Sequence, residues 1–554
     1  MGNSRSATLS FLAAAMWVLV STVACDDGTI KRVDDGGVDA ADLADADGGD
    51  GGVEPNPVCE GLGLPTVAFQ ETSESPALRA TAADFTVATT AGDWTFSAAF
   101  TGCDTYLFIQ DVPRQEQDWG RVLWTRDLGD LLYLLPKNTH VFFVSVVTDE
   151  AERAAELTAM EQRVATALSE LSAEDAQWWE GRFHFLTDAA GALPGYLGEL
   201  MRNPAWGFGI DRFQRIRYIG SYAVPSRYDE TVQWFGPNLA MAANEAVFYN
   251  FERTREDALT AERARLVPVF DQLLITGDAT ATVELPDAVE MMAYDTLRLD
   301  LTMGCDGDGE FGVCPAWDRI VALLLCDADN PDVCETEIGR WITTYHREGR
   351  WVIDASALLP LLADGGSRRF RFSSSDPYVV SLTLRFADRG RELRPKAVFP
   401  LWAGMKDFNE TYNDLFETIS VAIPATAGRV ELVTAITGHG MSLPGNCAEF
   451  CNTTHTFTVG GEDFVVDFPN IRDQYGCLKQ VKDGTVPNQY GTWWYGRSGW
   501  CPGKEVPFTA FDITSAVTPG TLASFSYSGL FNGAPYAGDN WRYIDLTAWV
   551  VIYE

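Results

Sequence analysis

Apolar and polar positions follow two different patterns along the chain. In the first half, short apolar runs that predict strands lie at 106–109, 141–147 and 183–186. The segments between them that predict helices are 128–135 and 150–171. Strands that alternate with helices predict a parallel or mixed α/β sheet. Residues 250–265, in which charges separate apolar residues, predict a connecting helix.

Near residue 267 the pattern changes to short strands separated by Gly, Asp and Ser clusters. A first set of predicted strands lies at 281–285, 295–302, 320–325, 369–372 and 379–386. A second set begins near residue 418 and includes 430–433, 454–459, 524–527 and 544–553. Many short strands with turns between them predict two antiparallel, jelly-roll-like β-sandwiches. The predicted fold class is therefore mainly β, with an α/β domain in front of two sandwiches.

The N-terminal end has the composition of a targeting segment. An arginine, the apolar run 9–20 and small residues before Cys25 predict a secretory signal over residues 1–25. Cys25 is similar to the lipidated cysteine of bacterial lipoproteins, although Thr22 stands where such signals usually have leucine; ordinary cleavage near Ala24 is the alternative. Either reading predicts an exported protein, a cell-envelope lipoprotein or a secreted one. A membrane contact is expected only through a lipid at Cys25.

The domain boundaries follow from these changes in composition. Residues 26–56 are rich in Asp, Gly and Ala and predict a disordered acidic tether. The predicted domains after it are the α/β domain at 57–265 and the sandwiches at 266–400 and 401–554. Because each part has its own strands, the α/β domain is expected to be removable without unfolding the rest.

Charge and length narrow the possible functions. The 554 residues are 46% hydrophobic, which is enough for several full cores. The net charge of −37 disfavours a nucleic-acid partner, since an acidic surface repels phosphate backbones. The body of the chain has no apolar run of the length that a spanning helix needs.

Cysteine usage indicates disulfides. Of eleven cysteines, ten remain when Cys25 is set aside, and an even number behind a secretory signal favours disulfides over metal. Proximity predicts the pairs Cys305–Cys314, Cys326–Cys334, Cys447–Cys451 and Cys477–Cys501. Elimination leaves Cys59–Cys103.

Candidate chemistry is concentrated beside these cysteines. Residues 314–319 read C-P-A-W-D-R and place Trp317, Asp318 and Arg319 just before a predicted strand. Neighbouring strand residues point to opposite faces, so Asp318 and Arg319 share a cleft only where the strand has not begun or is bulged. A structural ion pair between them is the alternative. Glu449 lies inside the small loop 447–451, and Arg497 and Trp500 stand in the stretch R-S-G-W-C-P-G at 497–503.

Together these three stretches resemble the peptide-N-glycosidase F family of bacterial amidases, which cut N-glycans from asparagine. The resemblance covers residues 268–554 and implies two jelly-roll sandwiches. It also implies that Asp318 is the principal catalytic residue and that Glu449 assists through water. Amide hydrolysis needs a carboxylate to move protons and guanidinium groups to hold an oxyanion, which makes Arg319 and Arg497 the candidate stabilisers. The expected substrate is an N-linked glycoprotein or glycopeptide.

The chain departs from the family pattern where glycan contacts are expected. Ser375 stands where the family has a third acidic residue, with Asp376 beside it and Pro377 in place of an aromatic residue. His439 stands where the family has tryptophan; a hydrogen-bonded loop histidine and a catalytic base are its two readings. Candidate substrate contacts are Trp317, Trp500, His439, Ser375 and Asp376. These changes leave open a second function, a catalytically inactive, surface-tethered module that binds glycan or protein.

Other chemistries have little support in the sequence. The sandwich pair is shared with copper monooxygenases, but the five histidines form no H-x-H motif. The acidic stretch 306–310 lacks the ligand spacing of an EF-hand. Residues 208–219 are similar to the closing hairpin of thioredoxin-like domains, yet no C-x-x-C accompanies them. No metal and no other cofactor is therefore expected.

Overall fold

The computed structural model describes residues 55–111, 120–202, 207–218, 220–229, 234–307, 314–440, 448–537 and 542–554. The predicted signal, nearly all of the tether, Cys25 and Cys447 lie outside the described residues. Most of the acidic stretch 306–310 lies outside them as well.

The first part of the chain forms a mixed α/β sheet, as the alternating pattern predicted. Its helices are α1 Pro57–Gly61, α2 Phe96–Ala99, α3 Leu128–Leu134, α4 Glu150–Leu168, α5 Ala173–Glu180, α6 Gly195–Arg202 and α7 Ala243–Ala261. Its strands are β1 Thr86–Thr89, β2 Gly92–Thr95, β3 Thr105–Gln110, β4 Thr139–Val144, β5 Phe183–Leu186, β6 Gly207–Ile210, β7 Ile216–Tyr218, β8 Ala223–Asp229 and β9 Trp234–Pro237.

The main sheet has the order β2-β1-β5-β4-β3-β6-β7. Strand β4 pairs in parallel with β3 and β5, and the edge pairs are antiparallel. Every residue of β3 and β4 is buried, which explains the apolar runs at 106–109 and 141–144. Strands β6 and β7 form the hairpin that the sequence predicted at this edge.

The connecting helix differs from its predicted bounds. It begins at Ala243 and ends at Ala261, and residues 264 and 265 already belong to a strand. Its first turns are almost wholly buried through Ala243, Glu245 and Ala246. A helix segment buried on all sides has no amphipathic alternation, so the sequence pattern revealed only the charged second half.

The first sandwich contains strands β10 Ala264–Ile275, β11 Asp278–Asp287, β12 Thr296–Gly304, β13 Ile320–Cys326, β14 Cys334–Ile342, β15 Gly349–Asp354, β16 Gly365–Ser373 and β17 Tyr378–Ala387, with the short helix α8 Ala288–Met291. The two sheets have the orders β10-β17-β12-β15 and β11-β16-β13-β14-β23, in which β23 is the short strand Lys504–Glu505. Buried and partly exposed residues alternate along β17, as expected for a strand with one face on a core.

The second sandwich contains β18 Pro395–Asp407, β19 Ile419–Ala422, β20 Arg429–His439, β21 Thr453–Val459, β22 Glu462–Val466, β24 Thr509–Asp512, β25 Leu522–Phe531 and β26 Tyr543–Tyr553; the short strand β23 Lys504–Glu505 joins the first sandwich. The sheets have the orders β18-β26-β20-β24 and β19-β25-β21-β22. Strand β18 pairs with β26 from Pro395 onward, so the second sandwich begins before the predicted boundary between residues 400 and 401. The predicted class, two antiparallel sandwiches behind an α/β domain, is confirmed.

The hydrophobic core is continuous across the first two parts. One buried cluster joins Leu107 and Tyr249 of the α/β part with Trp341 of the first sandwich, and it also includes Trp494 and Trp549. The interior of the second sandwich is a separate cluster. A shared core argues against the expectation that the α/β domain can be removed without unfolding the rest.

The disulfides Cys59–Cys103, Cys305–Cys314, Cys326–Cys334 and Cys477–Cys501 are present, as predicted. The predicted pair Cys447–Cys451 lies partly outside the described residues, because Cys447 is one of those left out. Among the helices that the structure describes, none is both long and apolar enough to cross a membrane.

Candidate active site

The W-D-R stretch lies in a loop that ends where strand β13 begins at Ile320. Thr343, just after the neighbouring strand β14, fixes this loop: its hydroxyl donates to the carbonyl of Trp317 at 2.7 Å and accepts from the backbone N–H of Arg319 at 2.7 Å. The backbone N–H of Thr343 also donates to the carbonyl of Arg319 at 2.9 Å. Asp318 and Arg319 therefore precede the strand, which frees them from its alternation.

Asp318 points inward, with 14% of its side chain exposed. The hydroxyl of Tyr345 donates a hydrogen bond of 2.5 Å to Oδ2, and Nη2 of Arg497 lies 3.5 Å from the same oxygen. Burial raises the pKa of Asp318 above its ordinary value, and the Arg497 charge and the Tyr345 hydrogen bond oppose that rise. A buried carboxylate with a raised pKa is a stronger base than one in water.

Glu449 approaches from the second sandwich. Nε of Arg497 donates to its Oε1 at 3.2 Å, and the backbone N–H of Gly440 donates to its Oε2 at 3.2 Å. Its own carbonyl accepts from the N–H of Ser498 at 2.9 Å. Burial raises the pKa of Glu449, the Arg497 charge opposes the rise, and the negative charge of Asp318 adds to it.

Arg497 joins these two carboxylates, and its side chain is completely buried. The guanidinium donates to the carbonyls of Thr492 and Tyr495 at 3.1 and 2.9 Å, and to the hydroxyls of Thr492 and Tyr345 at 3.0 and 3.2 Å. The rings of Phe450 and Trp500 lie 5.2 and 4.9 Å from its central carbon. Because its N–H groups donate to partners in several directions, the guanidinium of Arg497 is held in one orientation. The predicted convergence of Asp318, Glu449 and Arg497 is what the structure contains.

Arg319 pairs with Asp376 rather than with its neighbour Asp318. Its Nε lies 3.6 Å from Oδ2 of Asp376, and half of its side chain is exposed. The alternative of an Asp318–Arg319 ion pair therefore does not hold among the described residues. Ser375 is exposed next to Asp376. Arg319, Ser375 and Asp376 form an outer rim, separate from the buried pair of carboxylates.

The three aromatic candidates occupy different depths. Trp317 is 60% exposed beside Asp318. Trp500 is buried, and its indole N–H donates to the carbonyl of Gly438 at 2.7 Å. The ring of His439 stacks on Trp500 at 4.9 Å and on Tyr543 at 5.4 Å. Of the three, only Trp317 presents a large face to solvent.

His439 is the last residue of strand β20 rather than a loop residue. Its Nε2 lies 2.8 Å from the hydroxyl of Thr437. Burial, together with the positive charges of Arg340 and Arg497, holds the pKa of His439 well below its usual value. This geometry agrees with the hydrogen-bonded reading of His439, since the imidazole is buried, bonded to Thr437 and stacked on two rings.

A buried ion cluster fixes the two sandwiches against each other. Arg340 of β14 is fully buried, pairs with Glu337 and Asp545 at 3.0 Å, and donates to the hydroxyl of Thr437 at 2.8 Å. Glu337 and Arg340 belong to the first sandwich, whereas Thr437 and Asp545 belong to the second. Because buried charges tolerate little displacement from their partners, this cluster keeps Asp318 and Glu449 in register.

Sequence reasoning missed Tyr345, which contacts both Asp318 and Arg497. Tyr345 is buried, and burial raises the pKa of its hydroxyl, so it remains a hydrogen-bond donor. Gly491, with φ of +70°, allows the ring to fit, because a Cβ there would lie 2.9 Å from the ring. No sequence motif marked Tyr345.

Within the described residues, no cluster of three or more His, Cys, Asp or Glu side chains could hold a metal ion. A cavity of about 210 Å³ lies behind Arg497 and Trp500 and is lined by neither Asp318 nor Glu449. The two carboxylates therefore lie outside this cavity.

Comparisons with known proteins find similarity to peptide-N-glycosidase F. Residues 408–550 match the family model described as "Peptide-N-glycosidase F, C terminal". A curated relative, the peptide-N(4)-(N-acetyl-beta-D-glucosaminyl)asparagine amidase F of Elizabethkingia miricola, is 29% identical over 113 residues. That alignment covers 20% of this chain and 30% of the relative, so the chain matches less than a third of the relative's length.

Two solved structures with peptide-N-glycosidase names also align with the chain. A peptide-N(4)-(N-acetyl-beta-D-glucosaminyl) asparagine amidase structure aligns with 53% of this chain and 96% of its own, at 21% identity and a TM-score of 0.45. A structure of PNGF-II aligns with 54% of this chain and 67% of its own, at 14% identity and a TM-score of 0.40. Over residues 408–550 the chain is therefore similar to the C-terminal part of peptide-N-glycosidase F.

Proposed function

We propose that this protein hydrolyses the amide bond between asparagine and N-acetylglucosamine in N-linked glycopeptides or glycoproteins. One observation carries the proposal: the buried guanidinium of Arg497 contacts the carboxylates of both Asp318 and Glu449 across the sandwich junction. The curated relative is named as an asparagine amidase. Two carboxylates and a fixed cation can supply the proton transfers and the charge stabilisation that amide hydrolysis needs.

Asp318 acts as the general base. It takes a proton from a water molecule as the water oxygen forms its bond to the amide carbonyl carbon. Burial raises the pKa of Asp318, which increases its basicity, while Arg497 and Tyr345 favour the ionised form that a base needs. Tyr345 and Arg497 both contact Oδ2 of Asp318. We therefore assign Oδ1 as the oxygen that accepts the proton from the attacking water.

The two arginines have different roles. Arg497 is held by backbone carbonyls and both carboxylates, so it organises the site. Arg319 is half exposed, and its contact with Asp376 is long at 3.6 Å. A surface ion pair of that length holds its partners weakly. We assign Arg319 to the oxyanion that develops when water attacks the amide.

Glu449 serves the second half of the reaction. When the carbon–nitrogen bond breaks, the departing glycosylamine must gain a proton. Burial and the charge of Asp318 raise the pKa of Glu449, with Arg497 opposing, which suits a carboxyl that holds and returns a proton. We assign Glu449 to proton delivery through a water molecule.

Substrate contact is assigned to the surface around Asp318. Trp317 offers an exposed ring for the apolar face of a sugar. Ser375 and Asp376 line the rim on the side of Arg319. Trp500 and His439 are both buried. We therefore assign them to packing around the site rather than to contact with the substrate.

The protein acts outside the cytoplasm in this proposal. Four described disulfides fit an oxidising compartment. The signal at residues 1–25 and a lipid at Cys25 are part of the same proposal. An acidic tether at residues 26–56 would then keep the folded domains at a distance from the membrane.

Incubating the purified protein with a denatured N-glycoprotein in water enriched in heavy oxygen tests this function. Hydrolysis of the amide converts the glycosylated asparagine to aspartate and incorporates solvent oxygen, which peptide mass spectrometry detects. Binding without release would favour the inactive glycan-binding module. Cleavage within the glycan, leaving a sugar on asparagine, would contradict the proposal.

A further inference from the structure

The loop between strands β14 and β15 connects the site to the α/β domain. It contains Tyr345, which donates to Asp318, and Arg347, which is 1% exposed. Between them, His346 has a positive φ of 56°, which a non-glycine residue adopts only when its surroundings hold it. Its backbone N–H donates to the carbonyl of Pro315 at 3.0 Å, in the loop of Asp318.

Glu245 of helix α7 meets this loop from the α/β domain, and its side chain is fully buried. Its two oxygens accept a fork of hydrogen bonds from Arg347 at 2.9 and 3.0 Å. Oε1 also accepts from the side-chain amide of Asn488 at 2.9 Å and from the N–H of Gly220 at 3.1 Å. One carboxylate thus holds three separate segments of the chain.

Two of these contacts lead to the same tyrosine. Arg347 lies two residues after Tyr345 in a buried loop. Asn488 precedes Gln489, whose side-chain oxygen accepts from the backbone N–H of Tyr345 at 2.8 Å. Gln489 is anchored in turn on the carbonyls of Val486 and Pro502. The backbone of Tyr345 is therefore fixed from both sides, and each side is connected to Glu245.

We propose that Glu245 is a positioning residue for the amide hydrolysis: from the α/β domain it sets the place of Tyr345, and through Tyr345 that of Asp318. This inference rests on the proposed function. It assigns the α/β domain a part in the reaction, since the carboxylate that orders the site comes from α7.

The position of Tyr345 affects the pKa of Asp318, and this effect can be measured in the pH dependence of the rate. The charged or titratable groups that face it are Arg497, Arg319, Glu449, Tyr345 and Tyr543. Loss of the Tyr345 hydrogen bond removes one of the contacts that oppose burial, so the pKa of Asp318 rises. Because the base must be ionised, the acidic limb of the rate profile then moves to higher pH.

The test compares glycan release against pH for four variants of the full chain. Tyr345→Phe removes the donor, Glu245→Gln removes the charge opposite Arg347, and the double variant combines them. Glu256→Gln is the matched control, because Glu256 is also on α7 but pairs with Arg350, which belongs to strand β15 and not to the loop between β14 and β15. Arg347→Lys keeps a cation opposite Glu245 and serves if Glu245→Gln fails to fold.

We expect Glu245→Gln to lower release by up to about 100-fold, since a small displacement far from the chemistry can cost that much. Its acidic limb should move in the same direction as in Tyr345→Phe, and the double variant should move no further than the larger single shift. Glu256→Gln should leave the limb in place. A Glu245→Gln profile with the wild-type limb, or shifts that add in the double variant, would overturn the inference.

Hydrogen exchange of the same proteins separates this inference from the proposed function. Faster exchange in peptides covering 343–349 and 486–492 is expected for Glu245→Gln and not for Glu256→Gln. Unchanged exchange in Glu245→Gln contradicts the coupling. A wild-type protein that releases no glycan contradicts the proposed function itself, and exchange alone then decides whether Glu245 holds the Tyr345 loop.

Discussion

The Tyr345 hydroxyl donates a 2.5 Å hydrogen bond to Asp318, although 27 positions separate the two residues in sequence. The register of the sheet explains how they meet. Strands β13 and β14 are antiparallel, and Ile320 pairs with Ile342. Asp318 precedes β13 and Tyr345 follows β14, so both leave the sheet at the same end. The pairing of two strands therefore builds half of the site.

Arg497→Met should destabilise the protein in a pH-dependent way. It leaves two buried carboxylates without their shared cation, which costs about 3–5 kcal/mol when such a pair is broken. Without Arg497 the folded-state pKa of each carboxyl rises further. The loss of unfolding free energy is therefore largest at neutral pH and becomes smaller as the two carboxyls are protonated in acid. Chemical denaturation at neutral and mildly acidic pH measures it. Arg369→Met is the control, because the partner of Arg369, Asp332, is 87% exposed. Equal losses for Arg497→Met at both pH values would contradict the account.

Asp104 offers a test in the α/β domain. Burial raises its pKa, but the hydrogen bond with His140 and the charge of Arg182 outweigh burial and lower the pKa from 3.8 to about 2. A depressed carboxyl pKa adds stability above the unfolded value that disappears as pH falls toward the folded one. Asp104→Asn should therefore cost about 2 kcal/mol at neutral pH.

Denaturation of Asp104→Asn beside wild type checks this prediction, and the gap should close as the pH falls from about 4 toward 2. Asp175→Asn is the control, because Asp175 forms an exposed pair with Lys137, for which little effect is expected. A gap that persists in acid would show that Asp104 acts by packing alone.

The sequence was sufficient for much of the fold because strand signals are local. The runs at 320–325 and 544–553 predicted strands β13 and β26 almost to the residue. The first turns of α7 were missed, since a buried helix segment has no polar face to reveal its period. Strand β18 was assigned partly to the wrong sandwich, because nothing local to residues 395–400 says which sheet they join.

The candidate site also contains some residues that the sequence predicted and others that it did not. Asp318, Glu449 and Arg497 stand in cysteine-flanked motifs, so their convergence was predictable. Tyr345 and Glu245 stand in no motif; they matter through pairings of residues far apart in sequence, which only the folded chain brings together. The direction of Arg319 was equally hidden, because a loop residue is free of strand alternation.

Removal of the α/β domain should prevent folding of the remainder. A chain that begins at residue 263 lacks Glu245 and Arg79, the partners of the buried Arg347 and Glu348. It also exposes one side of the shared core. We expect no cooperative thermal transition, compared with a chain that begins at residue 55. A cooperative thermal transition in the truncated protein would contradict this prediction and would show that the two sandwiches fold without the α/β domain.

The Cys447–Cys451 bridge remains a prediction. Peptide mapping without reductant should recover these two cysteines linked, together with the four described pairs. Replacing both with serine should lower glycan release more than thermal stability, since a short closed loop adds little stability and mainly orients Glu449. Free thiols at both positions in exported protein would contradict this role.

The most direct test of the account is glycan release by Asp318→Asn, measured with the melting temperature on the same samples. Asparagine keeps the shape but accepts no proton, so release should fall by about 10²–10⁴-fold. Because burial raises the pKa of Asp318, its ionised form costs stability, and Asn should melt at or above the wild-type temperature. Asp332→Asn, at a highly exposed carboxylate of the same sandwich, is the matched control. A folded Asp318→Asn protein that releases glycan at more than about a tenth of the wild-type rate would contradict the assignment of Asp318 as the base.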